Sequence, residues 1–146
     1  LGLVSFCKTT GGKGLHVVTP LAVKTSDKLT WRDAKAFAKE VCRRLADDEP
    51  ERYLITMAKA QRNGKIFLDY LRNDRMATAV APLSPRARSF ATVSMPLTWT
   101  QVRAGLDPKR FTLRSVPKLL KTMKAWRDYD DCARPLREAI RRLARK

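Results

Sequence analysis

The chain has 146 residues, enough for one domain with a proper core, and 44% of them are hydrophobic with a mean hydropathy of −0.39, which excludes a disordered or fibrous chain. No apolar run approaches the roughly 18–20 residues of a membrane span. The formal net charge of +17 and a pI near 10.5 exceed what solubility needs and point to a polyanion, nucleic acid foremost and an anionic membrane surface second.

The opening LGLVSF has neither a basic head nor a cleavage site, so no secretory leader is expected. It lacks an initiator Met and begins inside an apolar run, so the chain is expected to be a fragment whose natural N-terminal part is missing. Two apolar runs follow, Leu1 to Cys7 and Leu15 to Leu21. In the first, Val4 and Phe6 alternate with Ser5 and Cys7; in the second, Leu15, Val17, Thr19 and Leu21 alternate with His16, Val18 and Pro20. Both read as strands. Between them lies Lys8-Thr9-Thr10-Gly11-Gly12-Lys13-Gly14, with three glycines in four residues. Such a turn adopts positive φ and lets a ligand approach the backbone. With Lys8, Lys13 and His16 around it, it offers a pocket for phosphate oxygens, although most Gly-Gly turns between strands are only hairpin turns. It is not a P-loop, because Lys13 precedes Gly14 and a strand follows where a helix is required.

Lys24 to Lys28 is a polar loop. Thr30 is an expected N-cap with Asp33 in capping-box position, and Ala34, Phe37, Ala38, Val41 and Leu45 form the apolar stripe of a four-turn helix. Asp47-Asp48-Glu49-Pro50 ends it and reads as a solvated turn rather than a metal cluster. Tyr53 to Arg62 fits a short helix, and Asn63-Gly64 marks a turn. Lys65 to Leu71 reads as a buried strand with Asp69 in its middle. A buried acid needs a partner, either a cation ligand or an arginine such as Arg62, Arg72 or Arg75.

Ala77 to Leu83 is expected as another strand, followed by Arg86 and Arg88 on an exposed segment. Ala91 to Leu97 suits an edge strand, since Pro96 cannot donate to a ladder. Thr98 is expected to cap a short helix closed by Gly105. The tail reads as two helices. Val116, Leu119, Leu120, Met123 and Trp126 line one, with Lys118, Lys121 and Lys124 facing away. Leu136, Ile140, Leu143 and Ala144 line the other, with Arg134, Arg137, Arg141, Arg142 and Arg145 outward. These basic faces are either solvated or in contact with a nucleic-acid backbone. Trp31, Trp99 and Trp126 are core residues or base-stacking platforms. Cys7, Cys42 and Cys132 form no C-x-x-C pair and are expected to be buried thiols of a reducing, cytoplasmic compartment.

FCKTTGGKGLHVVTPL, RYLITMAKAQRNGKIFLDYLRNDR, TAVAPLSPRAR, VSMPLTW and GLDPKRFTLRSVPKLL together resemble the polymerase domain of bacterial DNA ligase D, in the archaeo-eukaryotic primase superfamily. The resemblance spans residues 1–146 and implies an α/β primase-type core with a mixed or antiparallel sheet flanked by helices. It implies a nucleotidyltransferase that adds NTP or dNTP to DNA ends or gaps during non-homologous end joining. Its implied partners are DNA, the end-binding Ku protein, and the ligase and nuclease domains of a parent protein. Thr10, Gly12, Lys13 and His16 would hold the triphosphate, with Arg62, Arg86 and Arg88 on nucleotide phosphates. Asp69 would ligate a divalent cation, Mg²⁺ or Mn²⁺, with His16 beside the chemistry. Thr10 stands where the family has Ser and keeps the hydroxyl. Two cations call for a D-x-D pair on a further strand. No such pair is expected anywhere in this chain, where Asp47-Asp48 and Asp130-Asp131 read as adjacent pairs, so the block is expected to precede Leu1. The chain alone is then expected to add few or no nucleotides. A non-catalytic nucleic-acid-binding module and a stand-alone primase-like protein remain the alternatives.

Overall fold

The computed structural model describes Leu1–Arg145. In chain order its elements are β1 (Phe6–Thr9), β2 (Leu15–Val18), β3 (Leu21–Ala22), α1 (Trp31–Asp48), β4 (Tyr53–Leu54), β5 (Ile66–Phe67), β6 (Pro96–Leu97), α2 (Val116–Leu120), β7 (Arg134–Pro135) and α3 (Leu136–Ala144). No helix among the described residues is long and apolar enough to cross a membrane. The chain divides into two compact units. One holds Gly2–Ala22 and Val80–Arg134; the other holds Leu1, Val23–Ala79 and the residues from Pro135 onward.

The first unit is built on an antiparallel sheet of order β2-β1-β6. Its central strand β1 is buried on both faces, from Phe6 to Thr9. Cys7, Val93, Met95, Leu97, Phe111 and Val116 form the core, with Val102, Leu106, Leu119 and Met123 packed against it. Phe6, Trp126 and Tyr129 close one side; the Trp126 and Tyr129 rings stack at 5.1 Å. The expected hairpin is present, with Thr9 opposite Leu15 and Phe6 opposite Val18. The first strand starts at Phe6 rather than Leu1. The faces of β2 are the reverse of a simple apolar count: Leu15 and Val17 are exposed, and His16 and Val18 are half-buried. β6 is one of the sheet's two edge strands, opposite β2, and Pro96 sits in it.

The expected strand over Ala77 to Leu83 is absent. Arg72 donates to the Thr78 carbonyl and Lys8 to the Val80 carbonyl, so side chains take acceptors that a ladder would use. Leu83 lies at φ 63°, outside any strand conformation. Of the edge strand expected over Ala91 to Leu97, only Pro96–Leu97 is regular; Thr92 and Val93 make single bridges to Thr112 and Pro85. The helix after Thr98 is a single 3-10 turn, Trp99–Gln101. The helix expected through Trp126 ends at Leu120, and Trp126 adopts φ 66° while its indole N–H donates to the Cys7 carbonyl. That part-buried hydrogen bond outweighs the helical periodicity.

In the second unit, Thr30 caps α1 as expected: its Oγ1 accepts the Asp33 N–H, and the Asp33 carboxylate accepts the Thr30 N–H. Glu40 takes Arg43 and Arg44, and Asp47 pairs with Arg43. Asp47 and Asp48 lie inside the helix, which Glu49 ends. α3 buries Leu136, Ala139 and Leu143 and exposes Arg141 and Arg142 as expected, but Ala144, expected inward, is exposed, and Arg137, expected outward, is half-buried and pairs with Asp27. Two corrections fall here. Tyr53 to Arg62 is not a helix but β4 followed by a 3-10 turn, Lys59–Arg62. The strand over Lys65 to Leu71 shrinks to Ile66–Phe67, parallel to β4. The two-residue pairing leaves Asp69 beyond the strand and exposed, not buried within it.

Candidate functional site

The glycine loop spans Thr10 to Gly14. Thr10 N–H and Thr10 Oγ1 both donate to the Gly14 carbonyl, at 3.1 Å each, and Gly12 N–H donates to Thr10 Oγ1 at 3.2 Å. The hydroxyl expected to meet phosphate therefore holds the loop closed. Gly11 lies at φ +66°, where a side chain is strained, and a Cβ there would stand 2.5 Å from Arg86 Cγ. Below it, Thr92 Oγ1 donates to the Gly11 carbonyl at 2.6 Å, and Arg86 N–H donates to the Thr92 carbonyl at 2.8 Å. Arg86 Nη1 reaches the Thr10 carbonyl at 3.4 Å. A Cβ on Gly12 would stand 3.6 Å from Arg88 Nη1. Gly11, Gly12, Arg86 and Arg88 thus share one site. Lys13, at the loop tip, is exposed, and His16 stands opposite Lys8 in the β1–β2 register.

Lys8 is not part of the phosphate pocket. It is 3% exposed, and its ammonium donates to the Val80 carbonyl at 2.7 Å and to Ser94 Oγ at 2.9 Å. Burial lowers its pKa from the ordinary lysine value, and the nearby Arg86 charge lowers it further. Thr9 is equally committed: its Oγ1 donates to the Val93 carbonyl and accepts the Met95 N–H. Sequence reasoning missed Thr92 and Ser94, which tie the loop to the strand beneath it. A lone Thr or Ser in an apolar run carries no signal of that role.

Arg62 and Asp69 belong to the other unit. The Arg62 guanidinium lies 4.0 Å from the Phe67 ring centroid and its Nη2 donates to the Met57 carbonyl at 2.5 Å. Its Nε is buried without a partner among the described residues. Asp69 Oδ1 accepts the Leu71 N–H at 3.0 Å, and Oδ2 faces Arg72 Nε at 3.4 Å. Arg72 is one of the three arginines expected as a structural partner. Burial first, and the Asp69 charge second, push the Cys42 thiol pKa up.

The described residues do not by themselves fit a two-cation centre, since no three His, Cys, Asp or Glu side chains converge among them. The expectation that the chain has no D-x-D is corrected: the spelling occurs once, at Asp128-Tyr129-Asp130. It lies on a turn entering a 3-10 helix, Asp130–Cys132, with Tyr129 in helical backbone and its ring stacked on Trp126. It is not the paired-acid strand.

Charge is distributed unevenly. Every ion pair among the described residues lies in the unit of α1 and α3. The unit with the glycine loop carries thirteen Lys and Arg against four Asp and Glu, and three of those acids cluster at 128–131. Among the described residues, none of its Lys or Arg side chains is in an ion pair.

Comparisons with known proteins bear on the family and the fold. A family model described as LigD, primase-polymerase domain, matches residues 1–126. The multifunctional non-homologous end joining protein LigD of Pseudomonas aeruginosa is 37% identical over 145 residues, which is 97% of this chain and 17% of that protein. The corresponding DNA repair protein LigD of Mycobacterium tuberculosis H37Rv is 40% identical over 102 residues, 70% of this chain and 13% of that one. Among solved structures, the polymerase domain from Mycobacterium tuberculosis ligase D in complex with DNA superposes with a TM-score of 0.79 at 34% identity. That match covers 90% of this chain and 45% of the solved one. The chain therefore spans less than a fifth of these curated relatives and under half of that solved domain.

Proposed function

The chain belongs to the LigD primase-polymerase family, and from that membership we propose that it forms part of a DNA-repair nucleotidyltransferase acting in non-homologous end joining. Its share of the work is to hold the triphosphate of an incoming NTP or dNTP and to grip DNA. One observation carries the reading. A closed glycine loop with positive φ is braced from below by Thr92 and flanked by Arg86 and Arg88 in a unit without described ion pairs. Backbone N–H groups and guanidinium forks of this kind suit phosphate oxygens. Thr10 sets the loop's shape, Lys13 supplies a charge at its tip, and His16 adds a further donor in the same unit; Arg62, in the other unit, is proposed as a nucleotide-phosphate contact on the family argument alone. Positioning and charge stabilisation are most of what phosphoryl transfer asks of a protein.

Asp69 is the proposed ligand for a divalent cation, Mg²⁺ or Mn²⁺, and any such cation competes with Arg72 for Oδ2. A complete two-cation centre needs further carboxylates on a strand. Primer extension by this chain alone is accordingly expected to be slight or nil. Ku and the ligase and nuclease domains of a parent protein are the proposed partners, by the same family argument.

The test is fluorescence anisotropy with a labelled GTP and, separately, a labelled DNA duplex. Lys13→Ala and Arg86→Ala are expected to weaken nucleotide binding about tenfold each, the loss of one charge-assisted contact, with DNA affinity changed about twofold or less. Unchanged nucleotide binding with a fall in DNA binding makes the chain a nucleic-acid-binding module instead.

A further inference from the structure

We propose a second phosphate-contact site, in the cleft lined by Arg110, Thr112, Arg114, Ser115, Lys118 and Leu119, that takes the phosphodiester backbone of DNA. The cleft has a volume of about 440 Å³ and lies in the glycine-loop unit, on residues distinct from that loop.

Three observations converge on it. The first is charge. Arg110, Arg114 and Lys118 are all exposed, none takes part in an ion pair among the described residues, and no acid lines the cleft. Asp107, the nearest acid in sequence, is turned to the Lys109 N–H at 2.9 Å. Three like charges around one cleft repel one another unless an anion enters. The second is rigidity. The cations alternate with anchors: Phe111 and Val116 are buried in the core, Val93 N–H donates to the Phe111 carbonyl at 2.8 Å, and Leu113 N–H donates to the Ala91 carbonyl at 3.1 Å. Ser115 Oγ donates to the Arg110 carbonyl at 2.6 Å and accepts the Thr112 N–H at 2.9 Å, which fixes the curve of the segment. The arginines thus rise from a frame that loses little freedom on binding. The third is continuity. Thr92 bridges to Thr112 on one side and donates to the Gly11 carbonyl on the other, so one residue joins the cleft to the glycine loop. A DNA strand held in the cleft and a triphosphate held at the loop rest on the same support.

The inference relies on the DNA-binding reading above, and the experiment separates the two. DNA affinity of the 146-residue chain is measured between about 50 and 200 mM salt for the wild type and two triple variants. Arg110→Gln/Arg114→Gln/Lys118→Gln empties the cleft of charge. Lys121→Gln/Lys124→Gln/Arg127→Gln removes the same charge from exposed positions elsewhere in the unit. The cleft variant is expected to flatten the log K against log salt slope by about 2–3 and Arg114→Gln alone by about 1, with nucleotide binding intact; the control variant is expected to leave the slope nearly unchanged. Equal slopes in the wild type and the cleft variant overturn the site, as does an equal flattening by the control. Displacement of the duplex by millimolar inorganic phosphate identifies the free ion as the ligand and also overturns it. A wild type that binds neither duplex nor nucleotide overturns the polymerase reading itself.

Discussion

Lys8 shows how far a residue's role departs from its letter. Beside a glycine loop a lysine reads as a phosphate donor, yet this one is spent inside the core on Val80 and Ser94. Its folded pKa lies below the ordinary lysine value of 10.5, so the folded state sheds the proton first as pH rises. Stability is therefore lowest, as far as this group is concerned, below the folded pKa and increases between the folded pKa and 10.5. Lys8→Met lacks that titration and leaves two acceptors unpaired, a loss of about 1–3 kcal/mol at neutral pH. Denaturant melts of both proteins should show the gap widening in alkaline buffer; a gap flat with pH contradicts the burial argument. The glycine loop itself was legible, because three glycines in four residues have few other uses. Lys8 was not, because burial depends on the Ala91–Leu97 segment arriving beneath it from 83 residues away or more.

At the scale of elements, local chemistry decided which expectations held. α1 was legible because its start is written within four residues. Thr30 and Asp33 satisfy each other's backbone donors, and Thr30 Oγ1 also donates to Asp33 Oδ2 at 2.6 Å. Thr30→Ala is expected to lower stability by about 1 kcal/mol, visible as a lower melting temperature, and Thr30→Ser to restore most of it. Equal melting temperatures for the alanine variant and the wild type contradict the capping role. α3 was legible too, because apolar and basic residues segregate cleanly along it. The helix expected to reach Trp126 failed because its periodicity competes with a distant acceptor, the Cys7 carbonyl. The strand expected over Ala77 to Leu83 failed because its carbonyls are claimed by Lys8 and Arg72. Both are tertiary effects, and no window of a few residues contains them. Asp69 lies between the cases. Its pairing with a neighbouring arginine could be foreseen, but its place outside the strand could not, since β5 is only as long as β4 allows.

For the molecule as a whole, the mixed α/β architecture and the family were readable in five sequence blocks, and the matches confirm both. Net charge announced a polyanion but not where it binds. That information appears only when the acids are placed: they neutralise cations in one unit, while the Lys and Arg of the other make no ion pair among the described residues. The central strand β1 has a further consequence. Cys7 is 1% exposed, flanked by β2 and β6, and burial pushes its thiol pKa up. A maleimide reaches that sulfur only when the strands part. Mass gain at Cys7, followed by peptide mapping to separate it from Cys42 and Cys132, therefore clocks how often the sheet opens. Occupation of the braced loop by a nucleotide should slow the clock, and a rate indifferent to nucleotide would detach the loop from the sheet that carries it.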